Sequence, residues 1–194
     1  MNQTKMNQTA SNHRIPSRAR RGFTLAELLV SLAIIAALAA VLIPAVTGQI
    51  AASSATRAIQ DLMNLRTGIE QFVADVHRYP GKVSHLTNQV TVAQKDININ
   101  TYPAGLVGRW KGPYLGKDTL PGGHQTGFGA AIRDSMVQLT YQAGVNYVTV
   151  VVAGIAQSDF DRMDLEIDGT VGATTGLLRW VTGDTVKFLT IPVQ

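Results

Sequence analysis

The chain has 194 residues, of which 45% are hydrophobic, so it is long enough for one ordinary domain with a packed core. It contains no cysteine, which excludes disulfides, zinc–thiolate sites and thiol nucleophiles. The formal net charge of +4 is concentrated in residues 1–22, which hold five basic residues and no acidic one. The rest of the chain holds 12 basic and 13 acidic residues, a balance that argues against nucleic-acid binding.

A long apolar segment follows this basic region. Between Phe23 and Val46 the only ionisable side chain is that of Glu27. The segment exceeds the roughly 20 apolar residues that span a bilayer, and the basic residues before it predict a cytoplasmic N-terminus. Residues 1–22 are therefore a predicted cytoplasmic leader. Two alternatives are a plain membrane anchor and a secretory signal cut near residues 37–39, although a signal core has only about 7–15 apolar residues.

Glu27 lies early in the apolar segment and needs a physical reason. A charge at mid-bilayer costs about 2.5–3.5 kcal/mol, and less near a helix end. Cleavage between Gly22 and Phe23 would create a matching cation, because Phe23 would then carry a free amino group. The Phe23 ammonium of a neighbouring subunit is a better partner for this carboxylate than the amine of the same helix. Glu27 therefore predicts that copies of the chain associate through this segment.

The sequence GFTLAELLV at residues 22–30, with arginines before it and the apolar run after it, resembles the processing signal of type IV prepilins and type II secretion pseudopilins. The resemblance implies that a prepilin peptidase cuts between Gly22 and Phe23, that Phe23 becomes N-methylated, and that Glu27 guides assembly. It also implies other partners, namely copies of the chain and other pilins or pseudopilins in a filament, and an inner-membrane assembly platform with a cytoplasmic ATPase.

One long helix is predicted to begin at Phe23. Residues 23–46 form a transmembrane and assembly helix, and residues 47–79 form an amphipathic helix whose apolar stripe faces the core of a head. Pro44 and Gly48 predict a helix break between these parts, because proline lacks an N–H group and clashes with the preceding turn. The helix should end before the proline that follows residue 79, since the residue before a proline disfavours helical conformation.

Residues 82–130 are rich in turn residues and are predicted to be irregular. Within them the sequence WKGPYL at residues 110–115, together with Arg-Tyr-Pro at residues 78–80, resembles the major-pseudopilin subfamily of type II secretion. The Asp-Pro-Trp-Gly segment of that subfamily is absent, and residues 119–129 stand in its place. We expect Trp110 and Tyr114 to fold onto the helix.

Four strands are predicted in the C-terminal part. Alternating or β-branched residues mark them at 136–141, 147–153, 177–181 and 186–191, and Thr-Gly-Asp at 182–184 marks a hairpin between the last two. A helix followed by strands predicts an α+β fold with an antiparallel sheet packed on the amphipathic helix. The loop and the sheet of the head are thus assigned to residues 80–194.

Acidic residues cluster between the second and third predicted strands, where we expect a solvated turn. Calcium binding is the alternative, because calcium takes about six to eight oxygen ligands and some pseudopilins bind it in a C-terminal loop. The candidate ligands are Asp159, Asp161, Asp164 and Asp168. No other cofactor and no enzyme activity are predicted, because the histidines lie in no catalytic motif. These histidines are His13, His77, His85 and His124.

The predicted function is that of a structural subunit of a type IV filament, made as a prepilin-like precursor. It is expected to sit in the bacterial inner membrane with its head in the periplasm, and then to enter a periplasmic pseudopilus of a type II secretion system. One alternative is a pilin or minor pilin of an extracellular type IV pilus, serving adhesion, motility or DNA uptake. Another is a membrane-anchored periplasmic binding domain that does not polymerise.

Overall fold

The computed structural model describes residues 22–116, 119–120, 123–125, 129–141 and 144–193. Almost all of the predicted leader therefore lies outside the described residues. The chain divides into two compact units between Pro44 and Ala45. The first described unit is one apolar helical segment, and the second is a head with its own hydrophobic core.

Helix α1 runs without interruption from Leu25 to Val76. The break predicted at Pro44 and Gly48 is wrong, because both residues lie inside this helix. Proline and glycine cost about 3 and about 1 kcal/mol at a helix interior relative to alanine. Proline removes only one N–H donor, and the residues on both sides remain helical, so a helix of 52 residues tolerates both.

The first part of α1 is apolar on every side. It contains an 18-residue window with a mean hydropathy of 2.8, and it belongs to the one helix among the described residues that is long and apolar enough to cross a membrane. Its side chains are exposed almost throughout. Length and composition therefore fit the predicted membrane span.

The second part of α1 buries one face in the head, as its amphipathic pattern predicts. The helix ends at Val76, just before His77 takes a left-handed φ of 58°. Apart from the adjacent pair Ala58 and Ile59, successive buried residues are three or four positions apart, which places them on one side of the helix. They are Ala55, Ala58, Ile59, Leu62, Leu65, Ile69, Phe72 and Val76.

The segment predicted to be irregular contains short regular elements. Two single-turn helices, α2 at Ser84–Thr87 and α3 at Ala104–Val107, precede two short strands, β1 at Thr119–Leu120 and β2 at Gly123–Gln125. Such short elements depend on tertiary contacts, because an isolated helical turn is unstable in water. Elements of two to four residues are too short to produce a periodic pattern in the sequence.

The four predicted strands are present as β3 at Ala131–Tyr141, β4 at Val145–Ala153, β5 at Leu178–Val181 and β6 at Thr185–Pro192. With β1 and β2 they form an antiparallel sheet in the order β1-β2-β3-β4-β6-β5. The predicted hairpin joins β5 to β6, with Gly183 and Asp184 at positive φ. Sheet and helix α1 share one hydrophobic core, which confirms the predicted α+β fold.

The acidic segment between β4 and β5 is a helix, so the predicted turn is wrong. Helix α4 runs from Gln157 to Asp168 and ends at Gly169, whose φ of 75° is typical of a helix C-terminus. Phe160 and Met163, three residues apart, are fully buried and attach this helix to the core. The acidic residues obscured this apolar spacing in the sequence.

Candidate functional site

The start of helix α1 is held by reciprocal hydrogen bonds between Thr24 and Glu27. The Glu27 backbone N–H donates to the Thr24 hydroxyl at 3.2 Å, and the Thr24 backbone N–H donates to the Glu27 carboxylate at 2.9 Å. The Thr24 hydroxyl also donates to that carboxylate at 3.0 Å. This arrangement is a capping box, which pairs N–H groups that the first turn of a helix leaves without partners.

The capping box gives Glu27 a role within a single chain that our sequence analysis did not predict. The signal was present, because Ser or Thr followed three residues later by Glu before an apolar run is a sequence signature of a helix start. Both residues follow the predicted cleavage point, so cleavage before Phe23 would leave the box intact. The role of Glu27 in assembly stays a prediction.

The Gly22-Phe23 junction lies exposed before the helix. The Phe23 side chain is 85% exposed, and a Cβ atom added at Gly22 would meet no atom within 4 Å. No steric contact in the described part of the chain therefore requires glycine at position 22. A requirement for glycine there would have to come from a protein that binds the junction.

The segment at residues 110–115 packs on the last turns of helix α1, as predicted for its aromatic residues. The Tyr114 hydroxyl donates a 3.0 Å hydrogen bond to the Asp75 carboxylate, and the Lys111 ammonium lies 3.0 Å from the other carboxylate oxygen. The hydrogen bond from Lys111, followed by that from Tyr114, lowers the pKa of Asp75. The ring of Tyr114 meets Phe72 edge to face, with centroids 5.8 Å apart.

Two carboxylates of helix α4 hold the loop that leads to β5. The Asp164 carboxylate accepts a hydrogen bond from the Gly172 N–H at 2.6 Å. The Asp168 carboxylate accepts hydrogen bonds from the N–H groups of Leu177 and Leu178 at 2.9 and 3.0 Å. Because carboxylates accept such backbone hydrogen bonds strongly, both residues fix the path of the loop.

The other two predicted calcium ligands have partners on helix α4 itself. Arg162 lies 3.4 Å from the Asp159 carboxylate, and the Gln157 amide donates to Asp161 at 2.9 Å. Across the part of the chain that the structure describes, no three acidic, histidine or cysteine side chains are grouped to hold a metal ion. A calcium ion on this helix would therefore need main-chain oxygens or water as further ligands.

Calcium binding by these carboxylates stays a prediction and has a direct test. Saturating calcium is expected to raise the Tm of the detergent-solubilised chain, because a ligand that binds only the folded state stabilises it. Asp168→Asn should remove the shift, and magnesium should not reproduce it. An unchanged Tm with calcium and with chelator would contradict calcium binding.

Asp164 makes stability depend on pH. Burial, followed by the neighbouring Asp168 and Asp161 carboxylates, raises the pKa of Asp164 from 3.8 to about 6 against the Gly172 hydrogen bond. Between these values the folded chain takes up a proton that the unfolded chain lacks. Protonation of Asp164 therefore increases the free energy of unfolding as the pH falls through 6 towards 4, and this contribution is lost as the pH rises through 6.

Asp164→Asn should raise the Tm more at pH 7.5 than at pH 4.5. Equal shifts at both pH values, or the same pattern in Asp159→Asn, would contradict this.

The histidines occupy different environments. His77 is exposed at the end of α1, whereas His85 is buried. His13 and the side chain of His124 lie outside the described residues. Among the described residues, no histidine approaches an acid and a nucleophile in the manner of a catalytic triad.

Comparisons with known proteins match this chain to one sequence motif and to several bacterial proteins. Residues 17–43 match the prokaryotic N-terminal methylation motif. The type II secretion system core protein G of Pectobacterium carotovorum subsp. carotovorum is 29% identical over 85 residues, which are 44% of this chain and 54% of that protein. The protein of the same name from Klebsiella pneumoniae is 28% identical over 86 residues, which are 44% of this chain and 61% of the relative.

Fimbrial protein Q of Moraxella bovis is 34% identical over 83 residues, which are 43% of this chain and 50% of that protein. The chain thus spans between 50% and 61% of the length of these relatives. No solved structure matches it.

The described chain is an exposed apolar helix with a capped start, followed in sequence by an α+β head. The methylation motif and the three relatives support the type IV pilin and pseudopilin family as the family of this chain. The relatives are named as secretion-system and fimbrial proteins and not as enzymes. The motif and the apolar helix fit anchoring in the inner membrane.

Proposed function

We propose that this chain is the precursor of a pseudopilin in a type II protein secretion system. The methylation motif at residues 17–43, which includes the start of an exposed apolar helix, is the observation that carries this proposal. The peptidase cuts between Gly22 and Phe23 and Phe23 is methylated. The head lies in the periplasm, and the apolar helix packs with copies of itself and other pseudopilins.

Two observations favour the secretion system over a surface pilus. Two of the three relatives are type II secretion core proteins, and the segment at residues 110–115 that resembles the major pseudopilins packs on helix α1 through Asp75. A platform in the inner membrane with a cytoplasmic ATPase then drives assembly into a short periplasmic filament.

A type IV pilin is the second candidate. Fimbrial protein Q has the highest identity of the three relatives, 34%. In that case the filament extends from the cell surface and serves adhesion, motility or DNA uptake. The capping box also favours a third candidate, a membrane-anchored domain that does not polymerise, because it gives Glu27 a function without any second subunit.

Deletion of the gene in its native host distinguishes these candidates. A secretion pseudopilin predicts that secreted proteins accumulate in the periplasm of the deletion strain, and that the wild-type gene restores their release while surface filaments are unchanged. Loss of surface filaments with normal secretion would identify a pilin instead. Normal secretion and normal filaments would contradict both filament proposals.

A further inference from the structure

The sheet face that points away from the core, here called the outer face, carries two opposed cations. Arg179 on β5 lies directly across from Lys187 on β6. Their strand neighbours Leu178 and Phe188 are fully buried in the core, and side chains alternate between the two faces of a strand, so both cations lie on the outer face. By the same alternation, the outer face also includes Val137, Tyr141, Val145 and Tyr147.

Neither cation has an acidic partner in the part of the chain that the structure describes. No carboxylate lies within ion-pair distance of Arg179 or Lys187 among these residues. Like charges directly opposite each other destabilise a pair of strands. The outer face therefore favours a negative group supplied from outside the chain.

Arg179 is held across the outer face. Strands β6 and β4 lie between β5 and β3, yet the guanidinium carbon of Arg179 lies 4.4 Å from the centroid of the Tyr141 ring on β3. A cation is attracted to the face of such a ring. The Nε–H of Arg179 also donates to the Gly176 carbonyl oxygen at 3.2 Å, and Tyr141 meets Tyr147 edge to face at 5.7 Å. This cation is thus ordered before any partner binds, which lowers the entropy cost of binding.

The outer face is apolar around its cations. Val137 and Val145 are 41% and 40% exposed. Leu189, two residues from Lys187 on β6, is fully buried but lies outside the core that the sheet shares with α1. Interfaces between proteins are enriched in tyrosine and arginine, and charges of opposite sign set their orientation. The outer face therefore suits a protein surface that combines apolar and acidic groups.

Helix α4 presents such a surface. Its 12 residues include five acidic side chains and one basic one. Four of these acids have partners within the chain, but Glu166 is exposed and no basic group among the described residues lies within ion-pair distance of it. Leu165 beside it is 55% exposed. Both line a mainly apolar groove of about 350 Å³ that α4 forms with Ala52, Ala55 and Thr56 of α1.

The outer face and helix α4 cannot meet within one chain. Phe160 of α4 contacts Trp180 of β5, with ring centroids 5.4 Å apart, and Trp180 is paired with the fully buried Val186. Helix α4 therefore lies on the core side of the sheet. A contact between the two surfaces must join two copies of the chain. Because the surfaces differ, the contact is heterologous and can repeat from copy to copy.

We propose that the outer face of one copy binds helix α4 of a second copy, with Lys187 and Arg179 facing Glu166. The apolar side chains around the two cations cover Leu165 and its groove, which removes apolar surface from water. The opposite charges fix the orientation of one head on the next. The inference rests on the proposed function, since it adds a contact between heads to the packing of the apolar helices in a filament.

The test uses full-length chains in membranes of the native host. The chain contains no cysteine, so an introduced cysteine marks a single position. Two differently tagged copies are co-expressed. One carries Arg162→Cys, one helical turn from Glu166, and the other carries Thr185→Cys, two residues from Lys187 on the same face of β6. A short bismaleimide is expected to join one tag to the other, whereas either variant expressed alone should give no cross-linked dimer, because the contact joins two different surfaces.

Reversal of one charge should weaken this contact. Lys187→Glu in the Thr185→Cys copy should lower the cross-linked yield roughly tenfold, because it places two like charges opposite each other. Glu166→Lys in the Arg162→Cys copy should then restore most of the yield. Lys95→Glu in the Thr185→Cys copy is the matched control, since it makes the same charge change at an exposed lysine in the loop after α1. It should leave the yield unchanged.

The proposal is overturned if no product joins the two tags, if either variant alone cross-links equally well, or if the product contains a different protein. It is also overturned if the double reversal restores no yield, or if Lys95→Glu acts as Lys187→Glu does. The cross-link is measured without reference to filaments or secretion. Normal secretion and normal filaments in the deletion strain would therefore contradict the proposed function alone, and a missing cross-link where secretion depends on this chain would overturn only the contact between heads.

Discussion

Glu27→Gln is expected to insert in the membrane and lose its leader normally but to form few filaments. Glutamine can still close the capping box with Thr24, because its side-chain oxygen accepts the same backbone N–H. It cannot attract the Phe23 ammonium of a neighbouring subunit. The apolar environment strengthens that attraction relative to water, so a loss of charge should reduce assembly severely. Processing is measured by intact mass, and assembly by sheared or cross-linked filament.

Two further variants separate the charge from the cap. Thr24→Ala removes the hydroxyl that accepts the Glu27 N–H, at a cost of about 0.5–2 kcal/mol to the helix start, but keeps the carboxylate. It should assemble better than Glu27→Gln. Glu27→Leu removes both functions, and should insert at least as well and assemble no better than Glu27→Gln.

Wild-type assembly by correctly processed Glu27→Leu would remove the main physical support for the filament proposal. Loss of assembly in Thr24→Ala together with wild-type assembly in Glu27→Gln would instead show that the capping box, and not the charge, is what assembly requires.

The mature chain is expected to begin at Phe23 with a methylated amino group, and a bulky residue at position 22 should prevent this. Gly22→Leu should remain almost entirely uncut, whereas Gly22→Ala should be cut more slowly. The structure leaves open space at Gly22, so the substituted chain itself experiences no clash. The block must then arise where the peptidase binds the junction. Intact mass of the membrane-extracted chain gives the cut position.

Gly48 supplies a matched control, because it too has open space for an added Cβ and lies within helix α1. Gly48→Leu should be processed as the wild type is. A mature chain that starts at Met1 or after Ala39 would overturn the predicted cleavage, as would normal cutting of Gly22→Leu.

Much of the head was predictable because its signals are periodic. The apolar stripe of α1 and the alternation in β3 place side chains on one face whatever they pack against. The acidic helix α4 was not predicted, because its apolar pattern consists of little more than Phe160 and Met163 among mostly polar residues, and the terminal Gly169 alone does not identify a helix. Helix α1 continues through Pro44, since a single missing N–H does not end a long apolar helix.

The sequence by itself determined the N-terminal segment: the basic leader, the Gly22-Phe23 junction, Glu27 and the apolar run. These features are contiguous, and their chemistry depends on neighbours a few residues away. Only the tertiary structure decided the neutral state of His85 and the raised pKa of Asp164. Both depend on burial and on groups that the fold brings from elsewhere, such as Tyr102 beside His85. Desolvation is set by the packed core as a whole, and no local pattern in the sequence records it.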